Sequence, residues 1–277
     1  MFCCSDSELA QKKRFEDFYS RSNNSVMLAI ERQVCGCDFG GNSWTIQQQA
    51  DDHIRILGLK PGVKLIDLGA GSGWPGIYMA KQSGCDVTLV DLPEIALKMA
   101  VQRAQDEGVA ARVSTCIADA ADLPHQNASF NAISHSDLLC CLIRKRGVLE
   151  QCRRIIRPDG IMAFTVISIA PGLSRTDHAR ALENAPEFAE MDGDYLALLK
   201  ATHWEVSDQV DLTGEYQRSC ERQIEADEVR KNELVELFGE TETEERIASW
   251  HSKRASIRDG LFVRELFVCK PDFGANV

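Results

Sequence analysis

The stretch 67–76, DLGAGSGWPG, holds the densest set of residues whose types and spacing could do chemistry. Counted from Gly71, it reads G-x-G-x-x-G, the fingerprint of a loop that holds the pyrophosphate of a dinucleotide. Counted from Asp67, it reads D-x-G-x-G-x-G, which indicates a different ligand. In both interpretations a turn between a strand and a helix presents backbone N–H groups to the ligand. The turn residues predicted to contact it are Gly69, Ala70, Gly71, Ser72 and Gly73.

Asp67 separates the two interpretations. Its side chain is expected near the loop mouth, where a carboxylate would repel a pyrophosphate. Two unit charges about 5 Å apart at an effective dielectric constant of about 20 repel by on the order of 3 kcal/mol. A ligand with an ammonium and a sulfonium turns this repulsion into attraction. The charge argument therefore favours S-adenosylmethionine over a dinucleotide.

Two further acidic residues follow the next two predicted strands. Asp91 ends the second strand about 20 residues past the loop, where a carboxylate can bind ribose hydroxyls, with Leu92 beside it. Asp119 ends the third strand, where it can accept a hydrogen bond from an adenine amine while the Ala120 N–H donates to a ring nitrogen. Dinucleotide enzymes also use an acid at the second strand, and Asp119 alone also fits a loop aspartate that starts a helix. Taken with Asp67, the two acids indicate an adenosine ligand.

Candidate groups for proton transfer are few. The fourth predicted strand ends in Ser134 and His135, at the carboxyl edge of the sheet where ligands bind in open α/β folds. Ser134 is predicted to contact the cofactor, and His135 is the candidate base, with Asp137 either orienting it or lining the methionine pocket. The competing interpretation is a hydrogen-bonded histidine that closes the sheet edge. Other candidates in the region after residue 170 are His178, His203, Tyr195 and Tyr216.

The elements that must position these residues alternate regularly. Strands are predicted at 64–68, 86–90, 112–117, 130–134, 161–168, 205–210 and 260–269. Helices are predicted between the first five strands, at 75–82, 93–106 and 138–157. This alternation indicates parallel βαβ units. The predicted fold is α/β, a doubly wound, mostly parallel seven-stranded sheet, although the direction of the last strand is not given by the sequence.

The two ends of the chain depart from this rhythm. Residues 1–59 are predicted to form an N-terminal helical cap, 60–170 the cofactor-binding core, and 171–277 the rest of the sheet. The last part carries insertions at 171–190 and 214–257, which bury little apolar area per residue, so local opening costs less than global unfolding. We expect both insertions and the first 45 residues to cover the acceptor side of the site and to become ordered when the cofactor binds.

Charge and cysteine content limit the partners. A net charge of −11 argues against a nucleic-acid partner, since phosphate binding needs a basic face. The longest apolar run, 161–170, is too short to span a bilayer, and the first residues lack the apolar core of a signal peptide. Eleven cysteines without an export signal are typical of reduced thiols in the cytoplasm. The close pairs, among them Cys3 and Cys4, lack zinc-ligand spacing, so no metal is expected.

Four segments in order, VKLIDLGAGSGWPG, VTLVDLPE, CIADAADLPHQNASFNAIS and RRIIRPDGIMAFTVI, resemble the successive motifs of class I S-adenosylmethionine-dependent methyltransferases. Their spacing is similar to that of small-molecule members such as the ubiquinone/menaquinone-biosynthesis group, over roughly residues 60–170. The resemblance implies that Asp67 contacts the methionine amino group, Asp91 the ribose and Asp119 the adenine. It also implies a cofactor-covering helix near 42–51. Trp74 and Pro75 depart from the smaller residues that most members carry.

The sequence therefore predicts a methyltransferase that transfers a methyl group from S-adenosylmethionine to a small-molecule acceptor and releases S-adenosylhomocysteine. Methyl transfer is an in-line displacement, so positioning and desolvation can supply most of the acceleration. Two alternatives stay open. One is a non-catalytic module that binds S-adenosylmethionine, and the other is a dinucleotide-dependent oxidoreductase.

Overall fold

Seven strands form one sheet in the computed structural model, which describes residues 6–273. The strands are β1 (Lys64–Leu68), β2 (Asp86–Asp91), β3 (Val113–Ile117), β4 (Phe130–Ser136), β5 (Ile156–Ile169), β6 (Trp204–Asp211) and β7 (Phe262–Pro271). Their order across the sheet is β3-β2-β1-β4-β5-β7-β6. The pairs from β3 to β5 are parallel, whereas β7 runs antiparallel to both β5 and β6. The predicted fold class is confirmed, and the structure supplies the direction of the last strand.

Helices flank the sheet and precede it. The helices of the described chain are α1 (Asp6–Ser22), α2 (Ser25–Cys35), α3 (Gln47–Ile56), α4 (Gly76–Ser83), α5 (Glu94–Asp106), α6 (Lys145–Ile155), α7 (Arg175–Asn184), α8 (Tyr195–Ala201), α9 (Thr213–Val229), α10 (Lys231–Phe238) and α11 (Glu240–Arg258). Local chemistry sets several of their ends. Asn24 caps α2 by accepting from the amides of the first turn, and Gly36 ends that helix in the left-handed conformation.

The long helix predicted at 138–157 is wrong in its first part. The chain leaves β4 through Asp137, whose φ of +51° is left-handed and whose N–H donates to the Thr165 carbonyl at 2.9 Å. A single 3₁₀ turn, Leu139–Cys141, follows, and α6 begins only at Lys145. The Lys145 ammonium donates to the carbonyls of Leu142 and Phe188, at 2.9 and 2.5 Å. These tertiary contacts hold residues 138–144 against the sheet edge instead of in a helix.

Two apolar layers form the core, one on each face of the sheet. Successive side chains of a strand point to opposite faces, so Ile66 and Leu68 of β1 join one layer and Leu65 the other. The first layer packs against α6 and α8, and the second against α3, α4 and α5. Because both faces are covered, β1 is buried along almost its whole length.

The N-terminal helices pack against the helices that follow β6. Arg222 of α9 donates from Nε to the Val34 carbonyl at the end of α2, at 3.0 Å. About one and a half turns further along α9, the buried carboxylate of Asp227 accepts from Arg246 of α11 at 2.7 Å. The three helices α2, α9 and α11 are therefore joined by side-chain contacts. The division of the chain at residues 59 and 170 stays a prediction.

Helix length and cysteine placement bear on membrane and metal binding. Within residues 6–273, no helix combines the length and the apolar character needed to cross a bilayer. All nine cysteines in that part of the chain are free, and no group of three or more histidine, cysteine or acidic side chains there is arranged to hold a metal ion. Cys3 and Cys4 lie outside the described residues.

Candidate functional site

The glycine loop between β1 and α4 lies at the carboxyl edge of the sheet. Gly69, Gly71 and Gly73 have φ values of +68°, +54° and +102°, which side chains rarely tolerate. The Val90 carbonyl accepts from the Gly69 and Ala70 amides at 2.8 and 3.1 Å. A Cβ at Gly71 would collide with the hydroxyl of Tyr19, which α1 places over the loop. The loop is thus fixed from below by β2 and approached closely from above.

Asp91 holds the loop from the end of β2. Its Oδ2 accepts from the Gly71 N–H and its Oδ1 from the Leu92 N–H, both at 2.7 Å. Burial raises the pKa of Asp91 to about 6, although the two amides oppose that shift. The carboxylate also lines the cavity described below. It can therefore accept a further hydrogen bond from a ligand, since an ionised carboxylate has about four acceptor sites.

Asp119 lies at the same edge, one strand further along. Its Oδ1 accepts from the Ala121 N–H at 2.8 Å, and its Oδ2 pairs with the guanidinium of Arg144. Arg144 also approaches Glu8 of α1 at 3.5 Å. Asp119 and Ala120 line the cavity with Asp91, as their places at the ends of neighbouring parallel strands predict. The pairing with Arg144 was not foreseen.

The structure corrects the expectation that Asp67 lies at the loop mouth. Asp67 is 1% exposed, does not line the cavity, and points from β1 towards the start of α4. A Cβ at Gly76 would lie only 2.6 Å from its Oδ2, so only glycine fits there. The alternation of β1 explains the error, because Asp67 belongs to the face covered by α4 and the cavity lies towards the other face. Asp67 therefore does not decide between the two ligands by direct contact.

Ser134 accompanies Asp67 behind the loop. Its hydroxyl is fully buried and lies beside the Asp67 carboxylate, away from the cavity. Burial raises the pKa of Asp67 to about 7, and the negative charge of Asp91 adds to this effect, while the Gly76 amide and Ser134 oppose it. The pair supports the loop from inside the protein and does not reach a ligand in the cavity.

The raised pKa of Asp67 predicts a pH effect on stability. Because the folded protein binds this proton more tightly than the unfolded chain, Asp67 lowers the free energy of unfolding as pH rises from about 4 to about 7. A shift of three units corresponds to roughly 4 kcal/mol at about 1.4 kcal/mol per unit. Asp67→Asn removes this titration. We expect the variant to gain stability relative to the wild type across that interval, measured by urea unfolding at half-unit steps of pH.

The matched control is Asp86→Asn, at the exposed start of the neighbouring strand β2. Its stability should follow the wild-type curve. Asp91 titrates in the same sense, so the comparison uses the difference between variant and wild type. A flat difference between pH 4 and 7 would show that Asp67 is ionised at its ordinary pKa.

His135 does not reach the cavity. Its ring is fully buried and stacks on Phe164 with the centroids 4.5 Å apart, and neither ring nitrogen has a hydrogen-bond partner among the described residues. Burial, and then the charge of His53, lower the pKa of His135 to about 3. A neutral imidazole in the core cannot take a proton from a ligand at the sheet edge. The candidate base is therefore left out of the site.

The two residues after His135, Ser136 and Asp137, reach the cavity instead. Asp137 lines it and forms a two-pronged ion pair with Arg264 of β7, whose Nη2 lies 2.9 Å from Oδ2. Arg264 is fully buried and also donates to the Trp44 carbonyl and to Gln49, at 3.3 and 3.2 Å. This pair ties the ends of β4 and β7 to the segment before α3. The lone arginine in the apolar run GLFVRELFVC was the sequence signal for it.

Trp74 of the glycine loop also contacts the segment before α3. Its indole N–H donates to the Thr45 carbonyl at 2.7 Å, and its ring packs between Phe39 and Tyr78. Trp74 does not line the cavity. The bulky residue in the loop therefore anchors the chain around residue 45.

A cavity of about 470 Å³ opens above the glycine loop, between the sheet edge, α1 and α11. We call one end the loop side; it is lined by Gly69, Asp91, Leu92, Asp119 and Ala120. We call the other the aromatic side; it is lined by Phe15, Trp44, Phe188, Trp250 and Lys253. The aromatic side is built from the N-terminal cap and from both segments predicted to act as covers. Whether those segments move stays a prediction.

A second cavity, of about 570 Å³, lies past the ends of β5 and β7. His178 and Tyr195, two of the alternative candidates for proton transfer, line it. None of the glycine-loop residues and none of the three strand-end acids does so. The first cavity is therefore the candidate site.

Comparisons with known proteins agree with this geometry. A family model described as a methyltransferase domain matches residues 59–233. The methyltransferase GfsG of Streptomyces halstedii is 30% identical over 61% of this chain and 64% of its own length. The chain spans about half the length of the curated relatives it matches, 44% and 64% for two of them.

Solved structures with the same fold include an N-methyltransferase and a cyclase. Phosphoethanolamine N-methyltransferase 2 of Haemonchus contortus, in complex with phosphomonomethylethanolamine and S-adenosylhomocysteine, has a TM-score of 0.75 and 19% identity, covering 93% of this chain and 60% of that one. The (4+2)-cyclase SpnF has a TM-score of 0.70 and 17% identity, with 98% of each chain covered. At these identities the likeness concerns the fold.

Proposed function

The chain belongs to the methyltransferase-domain family, and from that premise we propose that it transfers a methyl group from S-adenosylmethionine to a small-molecule acceptor. The observation that carries the proposal is the glycine loop, bound by Asp91 and open to one end of a cavity of about 470 Å³. The relatives named above include methyltransferases, one of them on a small phosphorylated amine. A cavity of this size suits a nucleoside together with a small acceptor.

The residues of the loop side fit the cofactor. Asp91 has acceptor capacity left for ribose hydroxyls, and Asp119 with the Ala120 N–H suits the edge of an adenine. Leu92 and Val148 supply apolar contacts for a planar ring. Of the loop residues predicted to contact the cofactor, Gly69 lines the cavity and would face the methionine end, whereas Ala70, Gly71, Ser72 and Gly73 do not line it and would act by shaping the loop. Asp67 and Ser134 act from behind, by fixing the loop and the start of α4.

The aromatic side fits the acceptor end. S-adenosylmethionine, when bound, supplies the electrophilic methyl group. The protein's task is then to hold the acceptor atom in line with that methyl group and to exclude water. Trp44 and Trp250, with ring centroids 5.5 Å apart, form an apolar wall that can also attract a cationic sulfur centre. No step of this kind requires His135.

Calorimetric titration tests the proposal. We expect micromolar binding of S-adenosylmethionine and S-adenosylhomocysteine and no binding of NAD. A broad panel of small acceptors should then give turnover to S-adenosylhomocysteine. Tight NAD binding without a response to either sulfur ligand would favour the dinucleotide-dependent oxidoreductase. Cofactor binding without turnover of any acceptor would favour the non-catalytic module.

Partners and location follow from composition. A net charge of −11 argues against nucleic acid as the acceptor. Nine free cysteines in residues 6–273 fit a reducing compartment, so we propose a cytoplasmic location.

A further inference from the structure

The aromatic side of the cavity carries an indole donor without an acceptor. Trp250 of α11 meets Trp44 edge to face, and Trp44 meets Tyr216 in the same way at 5.0 Å. The Trp250 indole N–H is buried and has no hydrogen-bond partner among the described residues. A buried donor of this kind is unfavourable unless a partner is present. Because this nitrogen has almost no accessible surface, it is the indole ring, and not the N–H, that Trp250 presents to the cavity.

Lys253 lies one helical turn after Trp250, so that both side chains share a face of α11. Its ammonium nitrogen is 5.7 Å from the centroid of the Trp250 ring, and both residues line the cavity. The thiols of Cys140, Cys141 and Cys220 are the nearby groups that favour its charge.

The other cations around the cavity are already paired. Lys12 lies 3.7 Å from Glu16, Arg14 lies 3.5 Å from Glu187, and Arg144 pairs with Asp119. Within the described part of the chain, Lys253 is the one cavity-lining cation with no carboxylate inside 4.0 Å.

An ammonium without a counter-charge is unfavourable in such surroundings. Burial lowers the pKa of Lys253, and the charge of Arg14 lowers it further. The free-energy cost of burying the charged Lys253 ammonium falls when a bound anion takes the place of the missing carboxylate. Arg14 forms a partly exposed ion pair with Glu187. Because such exposed pairs contribute little free energy, Arg14 can turn to a bound anion and supply a second positive charge.

We propose that the acceptor is an anion, with a carboxylate or phosphate bound by Lys253 and Arg14 and an apolar body against Trp44 and Trp250. This inference rests on the proposed function only in assigning the aromatic side to the acceptor. It narrows the substrate class from small molecules in general to acidic, partly apolar ones. Sterols, neutral polyketides and simple amines are excluded from that class.

Three small probes with one aromatic ring test the proposal. Phenyl phosphate and benzoate carry the two candidate anions, and benzyl alcohol is their neutral counterpart. Each is titrated calorimetrically into the full chain, with and without saturating S-adenosylhomocysteine. We expect at least one of the anions to bind tenfold or more tightly than benzyl alcohol. The anion that binds more tightly shows whether the acceptor carries a phosphate or a carboxylate. Equal affinity for all three would overturn the proposal.

Variants assign the effect to Lys253. Lys253→Met should weaken the preferred anion at least tenfold and leave benzyl alcohol unchanged, whereas Lys253→Arg should stay within about threefold of the wild type. Arg14→Met should weaken the same anion by a smaller factor and serves as the second variant. The matched control is Lys200→Met, an exposed residue of α8 that lines neither cavity.

Two outcomes separate this proposal from the proposed function. If Lys253→Met binds the anion as tightly as the wild type, the anion site is wrong, and a proton-transfer role for the amine becomes the better assignment. S-adenosylhomocysteine affinity should be unchanged in every variant, since the loop side is untouched. A wild-type protein that fails to bind S-adenosylhomocysteine yet prefers the anion would contradict the methyltransferase and keep the anion site.

Discussion

Arg264→Met is expected to lower the free energy of unfolding by about 3–5 kcal/mol, the usual loss when one partner of a buried ion pair is removed. The substitution leaves the Asp137 carboxylate without its counter-charge and the Trp44 carbonyl without its arginine donor, and it leaves Gln49 Oε1 with only the Ile46 N–H. For a chain of this size, 1 kcal/mol corresponds to about 2–4 °C, so the midpoint should fall by roughly 6–20 °C. Calorimetry and urea unfolding measure both quantities.

The control is Arg258→Met at the end of α11, whose side chain is 69% exposed. Its free energy of unfolding should change by no more than about 0.5 kcal/mol. Combining Arg264→Met with Asp137→Asn should recover part of the lost free energy of unfolding, because the double variant has no unpaired carboxylate at position 137. A single variant as stable as the wild type would mean that the pair contributes nothing beyond its packing.

Asp91→Ala is expected to weaken S-adenosylhomocysteine binding by 100-fold or more. Hydrogen bonds to a charged group contribute about 1.5–3 kcal/mol each, and a loss of about 3 kcal/mol is more than 100-fold in affinity. The substitution removes the acceptor of the Gly71 and Leu92 amides as well as the proposed acceptor for the ribose. Calorimetric titration at constant salt measures the change.

Asp91→Asn and Asp86→Ala complete the series. The amide oxygen of asparagine can still accept from one backbone amide, so its affinity should lie between those of the wild type and Asp91→Ala. Asp86, at the exposed start of the same strand, should be neutral. If Asp91→Ala binds within threefold of the wild type, Asp91 shapes the loop without contacting the ligand.

The sequence predicted the parts of the site that depend on strand ends. In a parallel sheet the carboxyl ends of neighbouring strands meet at one edge, so the places of the glycine loop, Asp91 and Asp119 follow from the order of the elements. The same logic placed Asp137 at that edge. Predicting these features requires only the period of the apolar pattern and the identity of the turn residues.

Side-chain direction in a doubly covered sheet was harder to predict. Strand β1 is apolar on both faces, so its sequence pattern does not tell whether the Asp67 side chain points to the face of the sheet on which the cavity lies. His135 was misplaced for a different reason: it pairs with Leu68 on the face opposite Asp67, but its ring stacks on Phe164 in the core, and the strand pattern does not give this depth of burial. The partners of Arg264, which are Asp137, Trp44 and Gln49, lie far away in the chain, and only the tertiary fold brings them together.

Strand β7 lies between β5 and β6, although it follows both in the chain. During synthesis, β5 and β6 are therefore finished while the strand that joins them is still inside the ribosome. Each then presents an open edge of unpaired backbone groups, which is a template for pairing with another chain. We expect a nascent chain stalled at the end of α11 to need a chaperone to stay dispersed. Arg264 arrives with the same strand, so the site can close only after translation has passed residue 271.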